Sequence, residues 1–243
     1  MDARAFSFEF FPPKTAEGKE KLRATWRELA KLKPRFFSCT YGAGGSTREG
    51  TLETVLDIRA AGHEAAPHIS CVAATREDIA TQLERYRSHG IRHVVALRGD
   101  LPSGLGASGE FRYANELVAF KRKVDAGANA AITQYFYNVD AYFRFVEEAR
   151  KAGIKVPIVP GIMPINNFSQ LARFSEACGA EIPRWMRIKL EGFHDDAAGI
   201  RAFGLDVVTD ICRRLLDGGA PGLHFYTLNQ ATLSGEIWKR LGL

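Results

Sequence analysis

Short apolar segments recur along this chain and alternate with longer segments whose apolar residues have helical spacing. Between the apolar runs, segments such as 75–90 and 140–153 place apolar residues at i, i+3 and i+4 and end on a glycine, where a helix C-cap belongs. Strands that alternate with helices are parallel and buried on both faces, so the pattern predicts an α/β protein, as an open doubly wound sheet or a closed barrel. The predicted strands lie at 6–11, 35–42, 65–74, 92–100, 130–138, 155–164 and 222–229.

Polar side chains collect where these predicted strands end. In a closed barrel all the carboxyl ends of the strands open on one face, where active sites form, so this distribution favours the barrel over the open sheet. Seven strands are visible, one fewer than such a barrel contains. The polar residues at the strand ends are Glu9, Thr40, Tyr41, His68, Arg98, Asp100, Gln134 and Asn229.

Length and composition predict a single domain over residues 1–243, because 243 residues with 46% apolar content can bury one substantial core. No apolar run approaches the roughly 18 residues of a membrane span, and the N-terminus lacks a signal-peptide core, so we expect a soluble, cytoplasmic protein without membrane attachment. The net charge of +5 is scattered among acids, which favours a small anionic ligand over nucleic acid. Four widely spaced cysteines without a CxxC pair predict buried free thiols rather than disulfides or metal ligands.

Glu9 is the residue most difficult to explain as structure. An ionised carboxylate at a barrel mouth carries a desolvation cost of several kcal/mol unless it is paired, hydrated or used. Burial among Phe8, Phe10 and Phe11 would raise its pKa and keep a proton available near neutrality, which suits a general acid. The alternative is a buried salt bridge with an arginine.

Seen together in chain order, several motifs resemble the bacterial 5,10-methylenetetrahydrofolate reductases. The resemblance runs from about residue 6 to the C-terminus and implies a (β/α)₈ barrel that holds FAD noncovalently. It also implies reduction of 5,10-methylenetetrahydrofolate to 5-methyltetrahydrofolate by NADH or NADPH in a ping-pong reaction, and a homo-oligomer. The motifs are "FEFFPPK", "TYGAGGSTRE", "APHISC", "HVVALRGDLP", "YANELV", "KRKVDAGANAAITQYFYN", "PGIMPINNF" and "HFYTLN".

The same resemblance implies roles for individual residues. Glu9 matches the acid that protonates the amine leaving as the folate imidazolidine ring opens, and Asp100 matches an aspartate that tunes the flavin and favours the iminium cation. The matched folate contacts are Gln134, Gln170 and Phe174. The matched FAD contacts are Thr40, Tyr41, His68, Leu97, Arg98, Gly99, Asp100, Tyr113, Ala114 and Lys123.

One departure from the family pattern falls near residues 119–120. The segments matching "YANELV" and "KRKVDAGA" are separated here by Ala119 and Phe120 alone, so roughly thirty family residues, including the fifth strand, have no counterpart. We expect a disordered stretch left out of the chain, visible as a chain break between residues 115 and 123. The alternative is a true deletion with one continuous helix over 111–126. In that case the protein could be a folate- or flavin-binding barrel with little catalysis, or a barrel that takes electrons from a partner protein.

Overall fold

The computed structural model describes residues 4–40, 48–70, 74–97 and 114–243, with backbone alone for 114–118. These residues form two compact units, which are described separately. The first unit comprises Phe6–Gly109 and Thr227–Ala231; the second comprises Met1–Ala5, Glu110–Tyr226 and Thr232–Leu243. The single domain over 1–243 stays a prediction. Among the described helices, none is both long and apolar enough to cross a membrane.

The first unit is a four-stranded parallel sheet with a helix after each of its first three strands. The strand order is β4-β3-β2-β1, and each neighbouring pair is parallel. All four strands predicted for this part of the chain are confirmed. The elements are β1 (Ala5–Phe10), α1 (Ala16–Ala30), β2 (Phe36–Cys39), α2 (Arg48–Ala60), β3 (Ala65–Ser70), α3 (Arg76–Ser88) and β4 (Val95–Leu97).

Aromatic stacking forms the core between β1, β2 and the helices of the first unit. Phe37 stacks on Phe8 and on Phe10, with ring centroids 6.2 and 5.6 Å apart, and all three side chains are buried. Trp26 and Leu29 on one face of α1 are buried as well. Side chains alternate across a strand, so Phe8 and Phe10 occupy the face of β1 opposite to that of Glu9.

The second unit contains a three-stranded parallel sheet in the order β5-β6-β7. Its three strands were predicted from the sequence and are also confirmed. Its elements are α4 (Ala114–Asp125), β5 (Ala131–Tyr135), α5 (Val139–Lys151), β6 (Ile158–Ile162), α6 (Phe168–Cys178), α7 (Arg184–Glu191), α8 (Ala197–Asp217), β7 (Gly222–Tyr226) and α9 (Thr232–Leu241).

Local sequence signals account for many helix ends. Thr75 and Asp78 form a reciprocal capping box at the start of α3, and Asn167 accepts a hydrogen bond from Gln170 N at the start of α6. Gly179 ends α6 at φ 72°, a left-handed conformation that favours glycine.

The prediction of a chain break between 115 and 123 is wrong, because α4 is continuous over Ala114–Asp125.

A close approach between β5 and β6 requires glycine at position 161. A Cβ atom there would lie 2.3 Å from Thr133 O and 2.6 Å from Tyr226 Cε2. We expect Gly161→Ala to lower the free energy of unfolding by about 3 kcal/mol, because backbone oxygen cannot move aside as a flexible side chain can. Urea denaturation measures this. Gly235→Ala in α9 is the control, because nothing lies within 4 Å of a Cβ there, and an equal loss in both variants would contradict the packing argument.

Candidate active site

Strand register in the first unit places polar side chains on one face of the sheet. Glu9 pairs in register with Ser38, and Ser38 pairs with Ala66, so these residues share a face. His68 lies two residues beyond Ala66, on the same face and nearer the carboxyl end of β3. Its ring can therefore reach across to the carboxylate of Glu9.

The contact between His68 and Glu9 is the central feature of this face. Nε2 of His68 lies 3.2 Å from Oε2 of Glu9, and their side chains are 5% and 16% exposed. Neither ring nitrogen of His68 has a hydrogen-bond partner among the described residues. The hydroxyl of Ser38 on the same face is also buried without one in that part of the chain. Buried polar groups without such partners call for an explanation, and a polar ligand on this face would supply one.

The environment of Glu9 differs from the sequence prediction. Burial among Phe8, Phe10 and Phe11 was expected, but Phe8 and Phe10 pack on Phe37 across the sheet, and Phe11 is exposed. Strand alternation is the physical reason, since neighbours in sequence face opposite sides. Among the described residues, His68 contacts the Glu9 carboxylate. The alternative of a salt bridge with an arginine stays a prediction.

A turn at residues 227–229 holds the end of β1 and thereby positions Glu9. Thr227 Oγ1 donates a 2.7 Å hydrogen bond to Glu9 O. Asn229 Oδ1 accepts from Phe11 N at 3.0 Å, and its Nδ2 donates to Phe11 O at 2.8 Å. Leu228 and Asn229 both have left-handed φ, 51° and 58°. Sequence reasoning noted Asn229 as a polar residue at a strand end but missed this positioning role.

Thr40 directly follows β2 and Leu97 ends β4, on either side of His68. Thr40 N donates to Phe10 O at 2.9 Å, and Thr40 O accepts from Thr51 Oγ1 at 2.8 Å. Leu97 pairs in register with Ser70, the last residue of β3. The structure thus brings Glu9, Thr40, His68 and Leu97 to one end of one sheet. Five predicted residues lie outside the described residues, namely Tyr41, Arg98, Gly99, Asp100 and Tyr113.

A buried thiol near Glu9 is unsuited to chemistry. Desolvation raises the pKa of Cys39 well above its ordinary value, the charge of Glu9 adds to the rise, and a hydrogen bond with Thr54 opposes it. Cys39 therefore stays neutral near pH 7 and packs as a small apolar group. Cys212 is likewise a buried free thiol, as predicted, whereas Cys178 is a free thiol but exposed, so the prediction of burial is wrong for it.

The predicted folate contacts lie in the second unit. Between Ile132 and Tyr135 the pairing of β5 with β6 shifts by one residue, which is a β-bulge. Gln134 lies in this bulge with an exposed side chain, and its Oε1 accepts from Tyr135 N at 3.0 Å. A bulge next to a site turns a side chain out of the regular alternation.

The other predicted positions in the second unit lie on α4 and α6. Gln170 and Phe174 are four residues apart on α6, on one face of the helix, and both are partly exposed. The guanidinium of Arg173 lies 5.4 Å from the centre of the Phe174 ring. Ala114 is the first residue of α4, and Lys123 in its last turn is exposed.

The fold and site define a parallel α/β protein with a largely buried acid and histidine at the carboxyl ends of its strands. Comparison with family models matches residues 1–120 and 113–242 to "Methylenetetrahydrofolate reductase". The chain belongs to the methylenetetrahydrofolate reductase family.

Individual relatives agree with this assignment. The chain is 40% identical over 269 residues to 5,10-methylenetetrahydrofolate reductase of Salmonella typhimurium and 39% identical to that of Escherichia coli. Each alignment covers 98% of this chain and 90% of the relative. Among solved structures, an uncharacterized Clostridium thermocellum protein that binds two copies of 5-methyl-5,6,7,8-tetrahydrofolic acid matches with TM-score 0.67 and 17% identity, over 97% of this chain and 93% of that one. This structural match shows the fold alone.

Removal of the Asn229 side chain tests whether it holds the end of β1. We expect Asn229→Ala to lower the free energy of unfolding by about 2 kcal/mol. The variant loses two side-chain hydrogen bonds to the backbone of Phe11 and leaves alanine in a left-handed conformation. Asn229→Gly loses the same hydrogen bonds but tolerates the positive φ, so its loss should be about half as large. Chemical denaturation compares them, and an alanine variant as stable as the native chain would rule out the positioning role.

Proposed function

We propose that this protein reduces 5,10-methylenetetrahydrofolate to 5-methyltetrahydrofolate with NADH or NADPH as reductant and FAD as cofactor, the two substrates reacting in turn. Family membership supports the reaction, and the Glu9–His68 contact is the observation that carries it. When bound, FAD supplies the centre that takes hydride from the nicotinamide and returns it to the folate. A barrel of the (β/α)₈ type, without its fifth strand, a cytoplasmic location and a homo-oligomer belong to the same proposal.

Glu9 has the properties that the folate half-reaction requires of a proton donor. The imidazolidine ring of the substrate is a closed aminal, and its one-carbon unit accepts hydride only after one carbon–nitrogen bond breaks. The departing nitrogen takes a proton from the Glu9 carboxyl, and the bond cleavage leaves an iminium cation on the folate. Hydride then adds to the iminium carbon, and solvent restores the proton to Glu9. Partial burial on a sheet face shields this proton while 16% of the side chain remains open to a ligand.

The surroundings of Glu9 also fit the proposed cofactor. His68 and Ser38 carry buried polar atoms without hydrogen-bond partners among the described residues, and these atoms suit the polar edge of a flavin or its ribityl chain. Thr40 follows β2 and Leu97 ends β4, the two neighbouring strands. The roles of Tyr41, Arg98, Gly99, Asp100, Tyr113, Ala114 and Lys123 toward FAD, and of Gln134, Gln170 and Phe174 toward folate, are proposed on the family resemblance.

We further propose that the family segment near residues 119–120, with the fifth strand, is deleted from this chain. The alignment to the Salmonella relative spans 269 positions whereas the chain has 243 residues, so at least 26 of those positions have no counterpart here. The family model matches in two pieces that overlap at 113–120, and α4 is continuous through that point. This deletion favours a second candidate function, a folate or flavin binder with little catalysis.

Flavin binding separates the reductase from the binder. We expect the purified protein, incubated with FAD and freed of excess, to retain a yellow flavin absorbance band that NADH or NADPH bleaches under anaerobic conditions. Methylenetetrahydrofolate should then restore the oxidised band, because it accepts the stored hydride. Colourless protein that FAD does not reconstitute would exclude the proposed reductase.

The acid role of Glu9 is tested by Glu9→Gln, which keeps the shape and removes the proton. We expect reduction of the bound flavin by NADH or NADPH to continue at nearly the native rate, while reoxidation by methylenetetrahydrofolate falls by at least about 100-fold. Stopped-flow absorbance follows each half-reaction separately. His68→Gln is the matched control, because it disturbs the Glu9–His68 contact and leaves the Glu9 carboxyl in place. An equal loss of both half-reactions in Glu9→Gln would show that Glu9 has a structural role.

A further inference from the structure

Ser175 is a polar residue on the buried face of α6. It lies four residues after Leu171, on the same face of the helix, and both side chains are buried. Alanine would fit this face and is the better helix former, so burial alone does not explain a serine here. Ser175 Oγ lies 3.0 Å from the hydroxyl of Tyr135 in β5, which is also buried. The serine therefore serves a hydrogen bond between the helix and the strand.

The Tyr135 hydroxyl is the point at which side chains join α6 to the sheet. In the part of the chain that the structure describes, two side-chain hydrogen bonds connect α6 with a strand, and both end on this hydroxyl. The second comes from Cys178 Sγ, which donates to Tyr135 Oη at 3.5 Å. Burial raises the pKa of Tyr135, so its hydroxyl keeps a proton that it can donate to Ser175. Phenylalanine at position 135 would keep the ring and lose both bonds.

Contacts with its neighbours hold Tyr135 in place. Its ring meets the ring of Tyr226 edge to face, with centroids 6.3 Å apart, and the Tyr226 hydroxyl donates to Thr133 O at 2.8 Å. The backbone N–H of Tyr135 donates to Gln134 Oε1 at 3.0 Å. A single residue thus connects the β-bulge that carries Gln134 with helix α6.

A directional bond at Ser175 sets the rotation of α6 about its own axis. Successive residues are about 100° apart around a helix, so the face that holds Gln170 and Phe174 lies one step from Ser175. Burial of Leu171 is non-directional and tolerates a helix that turns or slides slightly. A hydrogen bond weakens steeply as its angle departs from linear, so the bond between Ser175 and Tyr135 tolerates much less.

We propose that Tyr135 and Ser175 are positioning residues for the folate substrate. The hydrogen bond between their hydroxyls sets the direction in which Gln170 and Phe174 meet the bound ring system. This inference rests on the proposed function, because it assigns those two side chains to folate. Both hydroxyls are buried and used in the bond between them, so neither is a catalytic group. The pair governs how tightly folate binds rather than the transfer of hydride to it.

Tyr135→Phe tests this role, because it removes the hydroxyl and keeps the ring. We expect the KM for methylenetetrahydrofolate to rise about 10-fold while kcat stays within about two-fold of native, since the variant weakens contacts that substrate and transition state share. The dissociation constant of 5-methyltetrahydrofolate, measured by calorimetry on the FAD-loaded protein, should rise by a similar factor. Ser175→Ala should produce the same changes. The double variant should be no worse than either single variant, because both remove one shared bond.

Tyr142→Phe is the matched control for the loss of a buried tyrosine hydroxyl. The Tyr142 hydroxyl donates to Ile158 O of β6 at 2.7 Å, so its removal should lower stability in urea and leave both folate constants unchanged. Native KM and native affinity in Tyr135→Phe would overturn the inference and leave the proposed function in place. An equal rise of KM in Tyr142→Phe would also overturn it, because general loosening would then explain both variants. Native FAD-loaded protein that binds no folate would contradict the proposed function itself, and this inference with it.

Discussion

The parallel register of β1, β2 and β3 is the constraint on which the candidate site depends. Because side chains alternate along each strand, the same register that stacks Phe8 and Phe10 on Phe37 turns Glu9 to the other face, in line with Ser38. A slip of one residue would exchange the two sets and bury the acid among the aromatic rings. The aromatic core therefore fixes the direction in which the Glu9 side chain points, although the aromatic rings do not surround the Glu9 carboxylate.

Irregular backbone segments also position side chains at the ends of the strands. Leu228 and Asn229 form a left-handed turn, and the side chain of Asn229 makes two hydrogen bonds to the backbone of Phe11 at the end of β1. A neighbouring strand would offer only backbone groups for this purpose. In the second unit, the bulge in β5 turns Gln134 outward, and Gly161 leaves room for it. Each device lies at a strand's carboxyl end, where parallel α/β proteins form their sites.

Sequence patterns predicted the seven strands and the helices over 75–90 and 140–153, because apolar periodicity and capping residues act within a few positions of one another. They did not predict what depends on contact between distant segments. The clamp between Asn229 and Phe11 joins residues 218 positions apart, and the bulge at Gln134 depends on how β5 pairs with β6. The expected chain break was wrong because "ANELVAFKRKVD" forms one continuous helix, with basic residues in its last turn.

The position of the proposed deletion decides which half of the reaction it affects. It lies within α4, which packs on α5 of the second unit through the stacked rings of Phe120 and Phe145, 6.2 Å apart. Glu9 and His68 lie in the first unit, held by strand register and by the turn at 227–229, neither of which involves α4. Lys123, one of the predicted FAD contacts, is exposed on α4 itself. If the proposed function holds, a deletion there weakens the hold on FAD and leaves proton transfer from Glu9 intact. The affinity for FAD should then fall, while protein fully loaded with FAD still reduces methylenetetrahydrofolate.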